Sequence, residues 1–270
     1  MRKLFANPYL LLTLTVLSWS GNMVIGRGIR GDIPPLTLAF WRWVIAFLLV
    51  LGLLGVGGYN TFAYLALQHT SATNATLLNS FIPIATIAIS WAFLGKHLRR
   101  PEAIGVFVSL CGALTIVSRG DLGVLANFNL NLGDIWMLIA VLDWAIYTVA
   151  LAWRPAGVHP MLMLGSTIAI GLLALGPAYA WEIAQGQHIN VHLGSLAALA
   201  YVGIFPSFLG YIFYNKGIAE VGPNKGSLFI HLMPVFGTLL SFLFLGEVPL
   251  WYHYTGIALI FSGIWLTMKR

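Results

Sequence analysis

Apolar residues run along this chain in long stretches, and Gly, Pro and charged positions gather in the short segments between them. Ten runs can be drawn: residues 8–26, 35–50, 51–68, 72–94, 101–118, 132–152, 160–181, 195–216, 222–245 and 250–268. A helix needs roughly 20 apolar residues to cross a bilayer, so ten would use about 200 of the 270 residues. Only short connections remain, with no room for a separate soluble domain. The predicted fold class is an all-α polytopic membrane protein with ten transmembrane helices.

Composition agrees with that pattern. The chain is 59% hydrophobic and only 8% charged, where a soluble domain carries roughly 25% charged residues. Lipid accepts this much apolar surface; a soluble core of this size could not shield it. The net charge of +6 invites a nucleic-acid reading, but the charges lie mostly at helix ends and not on one face. Arg2-Lys3 before an apolar run resembles a signal peptide. The run over 8–26 is too long for that and lacks a clear small-residue cleavage site, which predicts a retained first helix. The single cysteine, Cys111, cannot form an intrachain disulfide, and cysteine metal spacings are absent.

Positive charge sets the orientation. With the N-terminus inside, the inner ends hold Arg2, Lys3, Lys96, Arg99, Arg100, Arg154, Lys216, Lys225, Lys269 and Arg270. The outer loops hold only Arg27, Arg30 and Arg119. Both termini are therefore expected in the cytoplasm.

Landmarks recur in order along the chain. Val16-Leu17-Ser18-Trp19 matches Val141-Leu142-Asp143-Trp144, and Pro35 matches Pro160, both at an offset of 125 (144 − 19, 160 − 35). Further on, Pro83 matches Pro234, Leu94-Gly95 matches Leu245-Gly246, Gly105 matches Gly256 and Gly112 matches Gly263. These share an offset of 151 (234 − 83). Two halves follow, 1–118 and 132–270, each with five helices. An odd number inverts the second copy, the repeat pattern of secondary transporters with a midplane site. The offsets differ by 26 (151 − 125). That difference predicts a cytoplasmic loop missing near Val50–Leu51, because 36–67 as one helix would be about 48 Å long against a core of about 30 Å.

Ten helices in two inverted halves, each closing on Pro, Leu-Gly and two glycines seven apart, resemble the EamA-type drug/metabolite transporter superfamily. The residues carrying the resemblance are Trp19, Pro83, Leu94-Gly95, Gly105 and Gly112, with Trp144, Pro234, Leu245-Gly246-Glu247, Gly256 and Gly263 in the second half. One departure is Lys96, where the first half would carry a glutamate like Glu247. Within the superfamily the chain is most similar to YddG-type exporters of aromatic amino acids. The resemblance implies a monomeric, multi-pass protein of a bacterial inner membrane that carries a small-molecule substrate by alternating access, without a cofactor.

The candidate pathway residues pair across the repeat. Trp19 and Asn22 lie three apart on one helical face, matched by Trp144 and Tyr147. Both Trp sit near mid-span, where a lipid-facing indole N–H would lack a partner. Asn60 and Tyr64 are matched by Tyr211 and Asn215, with Tyr59 and Tyr214 adjacent. Thr76, Asn79, Ser80 and Pro83 form one stripe, and Ser227, His231 and Pro234 the matching one. Pro83 and Pro234 should each free a backbone carbonyl, bend their helix and act as hinges. Asp143 and His231 are the ionisable groups nearest the midplane. Either could meet a substrate charge, relay a proton or pair with the other. Arg42 lies on the second helix, which looks peripheral in this arrangement and suits a structural or interfacial role. The glycines seven apart suit close helix packing.

Trp and Tyr at mid-membrane stack flat apolar rings and attract cations, and Asn, Ser and His would hold an amino-acid head group. Export of small aromatic or amphipathic metabolites is the leading expectation, with multidrug or quaternary-cation efflux through Asp143 its rival. An enzyme is disfavoured, since no metal-ligand spacing, Ser/His/Asp cluster or Cys/His pair occurs. No lysine lies mid-helix to hold a retinal. No phosphate-binding G-x-x-x-x-G-K-[ST] loop occurs, so drive must come from the substrate gradient or from protons.

Overall fold

The computed structural model describes residues 7–29, 31–49, 58–126, 131–153 and 160–269. Every regular element among them is helical. The first half holds α1 (Pro8–Gly28), α2 (Pro35–Leu49), α3 (Gly58–His69), α4 (Ala72–Asn79), α5 (Ile82–Leu94) and α6 (Arg100–Val117). A short α7 (Leu122–Ala126) follows. Then come α8 (Leu132–Ala150), α9 (Pro160–Ala184), α10 (Leu193–Val202), α11 (Gly210–Val221), α12 (Pro223–Ser227), α13 (Leu232–Leu245) and α14 (Trp251–Met268). A π-helical segment, Gly203–Leu209, joins α10 to α11, and a 3-10 turn, Leu228–His231, joins α12 to α13.

Seven stretches among the described residues are long and apolar enough to span a membrane: Pro8–Gly28, Thr73–Leu94, Arg100–Val117, Leu132–Trp153, Pro160–Ala184, Leu193–Val221 and Pro223–Phe244. Of the other three predicted runs, α14 matches 250–268, while α2 and α3 match the described parts of 35–50 and 51–68, residues 35–49 and 58–68. The loop expected to be missing near Val50–Leu51 falls outside the described residues.

The helix boundaries have local causes. Asn7 caps α1 by accepting the backbone N–H groups of Tyr9 and Leu10, with Pro8 in the first turn. At the other end of two spans, Gly95 and Gly246 take φ of +61° and +68°, the left-handed conformation that stops α5 and α13. The repeated Leu-Gly pair is thus a helix stop.

The exterior is apolar: Phe107 is 66% exposed, Leu173 77% and Phe244 75%. Polar groups are buried instead, and they pin helix ends together, as expected where lipid offers no hydrogen bonds. The Glu182 carboxylate on α9 accepts the N–H groups of Leu36 and Thr37 and so caps α2. Asp134 accepts the Thr70 hydroxyl and the Asn131 N–H, tying α3 to α8. Glu102 at the start of α6 meets Arg99 at 2.9 Å and Lys225 of α12 at 3.3 Å.

Helices α6 and α14 pack backbone to backbone. A Cβ added at Gly112 would fall 2.6 Å from the Gly256 carbonyl oxygen, and one at Gly105 would fall 2.5 Å from that of Gly263. Rising numbers in α6 meet falling numbers in α14, so the two run antiparallel. Small residues permit this approach, and dispersion across it replaces a hydrophobic drive that lipid does not supply.

Two spans are broken. Helix α4 stops at Asn79 and α5 begins at Ile82, while the 3-10 turn interrupts the path from α12 to α13. The expectation was a bend at each proline. Instead the break lies before it, and Pro83 and Pro234 stand in the first turns of α5 and α13. There a missing N–H costs nothing. The two breaks touch, since His231 bonds the Ser80 carbonyl.

Candidate functional site

The broken spans meet α1, α2, α8 and α11 at a buried cavity of about 20 Å³, room for about one water. Its aromatic wall is Trp19, Trp144 and Tyr211, its polar wall Asn22, Asn79 and Arg42, and Met23, Ile82, Ile230 and Met233 complete it. Trp19 and Trp144 meet edge to face, with centroids 4.9 Å apart. Tyr211 lies 5.5 Å from Trp144, and Tyr214 packs behind both indoles at 5.1 and 5.2 Å. Pairs of this kind contribute about 0.5–1.5 kcal/mol each beyond area burial.

Arg42 is the site's fixed charge. It is 1% exposed, its Nε donates to Ser207 Oγ at 2.7 Å, and its guanidinium carbon lies 5.5 Å from the Trp43 ring centroid. A guanidinium does not deprotonate in proteins, and burying it costs several kcal/mol unless it is paired and hydrogen-bonded. Its planar fork matches carboxylate and phosphate.

The π-helical segment anchors both walls. Trp19 Nε1 donates to the Pro206 carbonyl at 3.1 Å. Ser207 Oγ accepts from Arg42 and donates to the Val202 carbonyl at 2.7 Å. Pro206 has no N–H to offer the turn before it, where Ser207 bonds the Val202 carbonyl, and α1 bonds the carbonyl of Pro206 itself. π-Bulges recur at functional sites. Lower on α1, Thr15 Oγ1 donates to the Gly210 carbonyl at 3.1 Å.

The sequence candidates divide into groups. Trp19, Asn22, Asn79, Trp144 and Tyr211 line the cavity, with Tyr214 behind and its hydroxyl 2.7 Å from that of Thr148. Tyr147 donates to Asn215 at 2.7 Å, and both line a second cavity of about 250 Å³ among α8, α9 and α11. Ser80 and His231 sit at the helix breaks. A carbonyl only accepts, so His231 donates from Nε2 to Ser80 at 2.9 Å and accepts from Ser109 Oγ at Nδ1, 2.8 Å away. Both nitrogens of a neutral imidazole are thereby used, with none left for Asp143. Asp143 is half-buried on α8 and does not line the cavity. Ser227 is buried and bonds the Asn224 carbonyl. The side chains of Tyr59, Asn60 and Tyr64 on α3 lie outside the described residues.

Of the cavity residues, Met23, Arg42, Ile82, Ile230 and Met233 escaped the sequence reading, as did Ser207, which holds Arg42. Helix α2 is not peripheral at Arg42, because α9 caps it and the π-segment packs against it. The available signal was a lone arginine in an apolar run, an intramembrane charge that marks a site by default. Among the described residues no group of three or more His, Cys, Asp or Glu side chains is placed to hold a metal ion.

An apolar exterior, inward polar pins and broken spans around a small polar-aromatic cavity describe a multi-pass membrane transporter. The EamA-like transporter family model matches residues 7–118 and again 131–269, and the chain belongs to that family, within the drug/metabolite transporter superfamily. It is 26% identical over 288 residues to an uncharacterized transporter of Archaeoglobus fulgidus, covering 98% of each chain. It is also 26% identical over 216 residues to the uncharacterized transporter YyaM of Bacillus subtilis, covering 80% of this chain and 70% of that one. A probable terminal-alkyne amino-acid exporter of Streptantibioticus cattleyicolor is 23% identical over 285 residues, with 96% and 92% coverage. One crystal structure, 19% identical, superposes with a TM-score of 0.80 over 97% of this chain and 96% of that one; the likeness is one of fold.

Proposed function

We propose that this protein is a secondary exporter of small aromatic or amphipathic metabolites, foremost aromatic amino acids, in the manner of YddG-type exporters. It works as a monomer by alternating access in a bacterial inner membrane, with both termini in the cytoplasm and two inverted five-helix repeats, 1–118 and 132–270, around the central cavity. Contacts between repeat equivalents support the inversion. Trp19 touches Trp144, 125 positions on, and Ser80 bonds His231, 151 positions on. Gly105 meets Gly263 while Gly112 meets Gly256. A two-fold relation brings equivalent residues together in this reciprocal way.

The observation that carries the substrate reading is Arg42 buried against the aromatic wall of one cavity. The guanidinium receives a carboxylate, the amides of Asn22 and Asn79 face the ammonium, and the indoles stack the ring. Arg42 also repels a quaternary cation, and Asp143 is not on the wall to attract one, so cation efflux is the weaker reading. The relative named as an amino-acid exporter supports the same substrate class. A space of about 20 Å³ cannot hold an amino acid, so the conformation described is closed and the Trp19–Trp144 contact must part during the cycle. Asp143 is the proposed proton-coupling group.

The test is counterflow in proteoliposomes of labelled phenylalanine, tryptophan and a quaternary cation, with Trp144→Ala alongside wild type. Exchange of both amino acids is expected, reduced roughly tenfold in the variant, in line with the loss of about 1–1.5 kcal/mol of aromatic contact. Flux of the cation alone would reject the carboxylate reading.

A further inference from the structure

The second cavity offers about 250 Å³ among α8, α9 and α11, somewhat below the roughly 300–1,000 Å³ of pockets for drug-sized ligands. The Tyr147–Asn215 hydrogen bond lies in its wall. The Tyr147 ring packs against Trp144 and Tyr211 of the central cavity at 5.3 and 6.2 Å. Two side chains and one aromatic layer thus stand between the spaces. The larger cavity is chemically mixed. Met161, Met163, Leu164 and Ile212 give it apolar lining, while Lys216 and Glu220, both exposed, also line it. These two lie four apart on α11, so they share a face and present a cation and an anion about one helical turn apart.

From this arrangement we infer that the second cavity is a loading site for a zwitterion with an apolar side chain. The carboxylate faces Lys216, the ammonium faces Glu220, and the side chain lies against the methionines. Methionine suits this role because its flexible, polarisable thioether adapts to varied shapes. The inference rests on the amino-acid reading and on the proposed orientation, in which Lys216 and the start of α9 lie at the cytoplasmic end, where an exporter collects its substrate. The solute waits there while the central cavity is closed, and it passes inward when Tyr147 releases Asn215. The shared chemistry of zwitterion and apolar tail would also admit an ethanolamine phospholipid, which the test separates.

The experiment measures labelled phenylalanine in two ways, by equilibrium binding to purified protein in nanodiscs and by counterflow in proteoliposomes. Lys216→Gln combined with Glu220→Gln, and separately Met163→Trp, should each raise the counterflow KM at least tenfold with little change in maximal rate. Leu162→Trp, one position away on the exposed face, should leave KM unchanged. Arg42→Met should lower counterflow at least tenfold, leaving a residual exchange, while phenylalanine binding persists. Wild-type counterflow with KM within twofold in both cavity variants overturns the loading site and leaves the central reading intact. Native mass spectrometry finding a phospholipid in wild type that Met163→Trp excludes, again at constant KM, overturns it in favour of lipid. No phenylalanine binding or flux in wild type overturns both the loading site and the amino-acid reading. Should Met163→Trp fail to fold, the Lys216/Glu220 double variant decides.

Discussion

The α6–α14 seam and the α1–α8–α11 centre face the same solvent and solve its demands in opposite ways. At the seam, glycines bring two unbroken helices into backbone contact, with no space left for a solute. At the centre, two spans are interrupted, a third carries a π-helical segment, and the carbonyls of Ser80 and Pro206 are satisfied by His231 and Trp19. In lipid an unsatisfied backbone group costs several kcal/mol, so every break must be answered by a neighbouring side chain. Those side chains can exchange partners, which a glycine seam cannot do. The contrast separates a scaffold from a part able to move.

The contrast can be broken most forcefully at the seam. Gly112→Val would drive a branched side chain into the Gly256 carbonyl and Ile260. Backbone cannot yield there, so a loss of about 3 kcal/mol or more is expected. It would appear as a sharply lower unfolding temperature and folded yield in detergent. An unchanged yield would mean that the seam is loose. A smaller effect is expected at the centre. Trp19→Phe keeps the ring contacts but removes the hydrogen bond to the Pro206 carbonyl, a loss of about 0.5–1.5 kcal/mol. Counterflow should fall roughly tenfold while folded yield stays near wild type, and equal losses of both would erase the distinction. The smallest effect on rate is expected for Asp143→Asn. Exchange should stay within about twofold, since charge at that position is not needed to bind, yet net transport should lose its dependence on a proton gradient. Retained proton coupling would remove Asp143 from the mechanism.

Much of the scaffold could be read in the chain because its landmarks answer backbone demands. Gly95 and Gly246 stop helices through a positive φ, and the glycines seven apart mark the close crossing. Such requirements act within a few residues, or along one helical face, and leave a local signature. Trp19, Asn22, Asn79, Trp144 and Tyr211 were legible as polar or amphipathic side chains at mid-span, and all five line the cavity. The placement of α2 was not legible. It depends on Glu182 capping Leu36 and Thr37 from 146 and 145 positions away, and no local pattern announces such a cap. Arg42 went with it, read as peripheral because its helix was. The π-segment was hidden too, because its register is set by Trp19 and Arg42 arriving from other helices. His231 carried two readings in the sequence, a charged partner or relay and a structural group; in the structure one of its hydrogen bonds joins the two helix breaks and the other ties them to α6.

The central claim is that Arg42 reads a carboxylate inside an aromatic box. Its most direct test is competition, in wild type and in Arg42→Met, of labelled phenylalanine counterflow by unlabelled phenylalanine and by phenethylamine, which shares the ring and ammonium but lacks the carboxylate. A charge-assisted hydrogen bond at this site corresponds to about 1.5–3 kcal/mol, or roughly 10- to 150-fold. Wild type should therefore prefer phenylalanine by at least tenfold. Residual exchange in Arg42→Met should show no preference, with the variant folded as judged by its unfolding temperature. An undiminished preference in Arg42→Met would contradict the account.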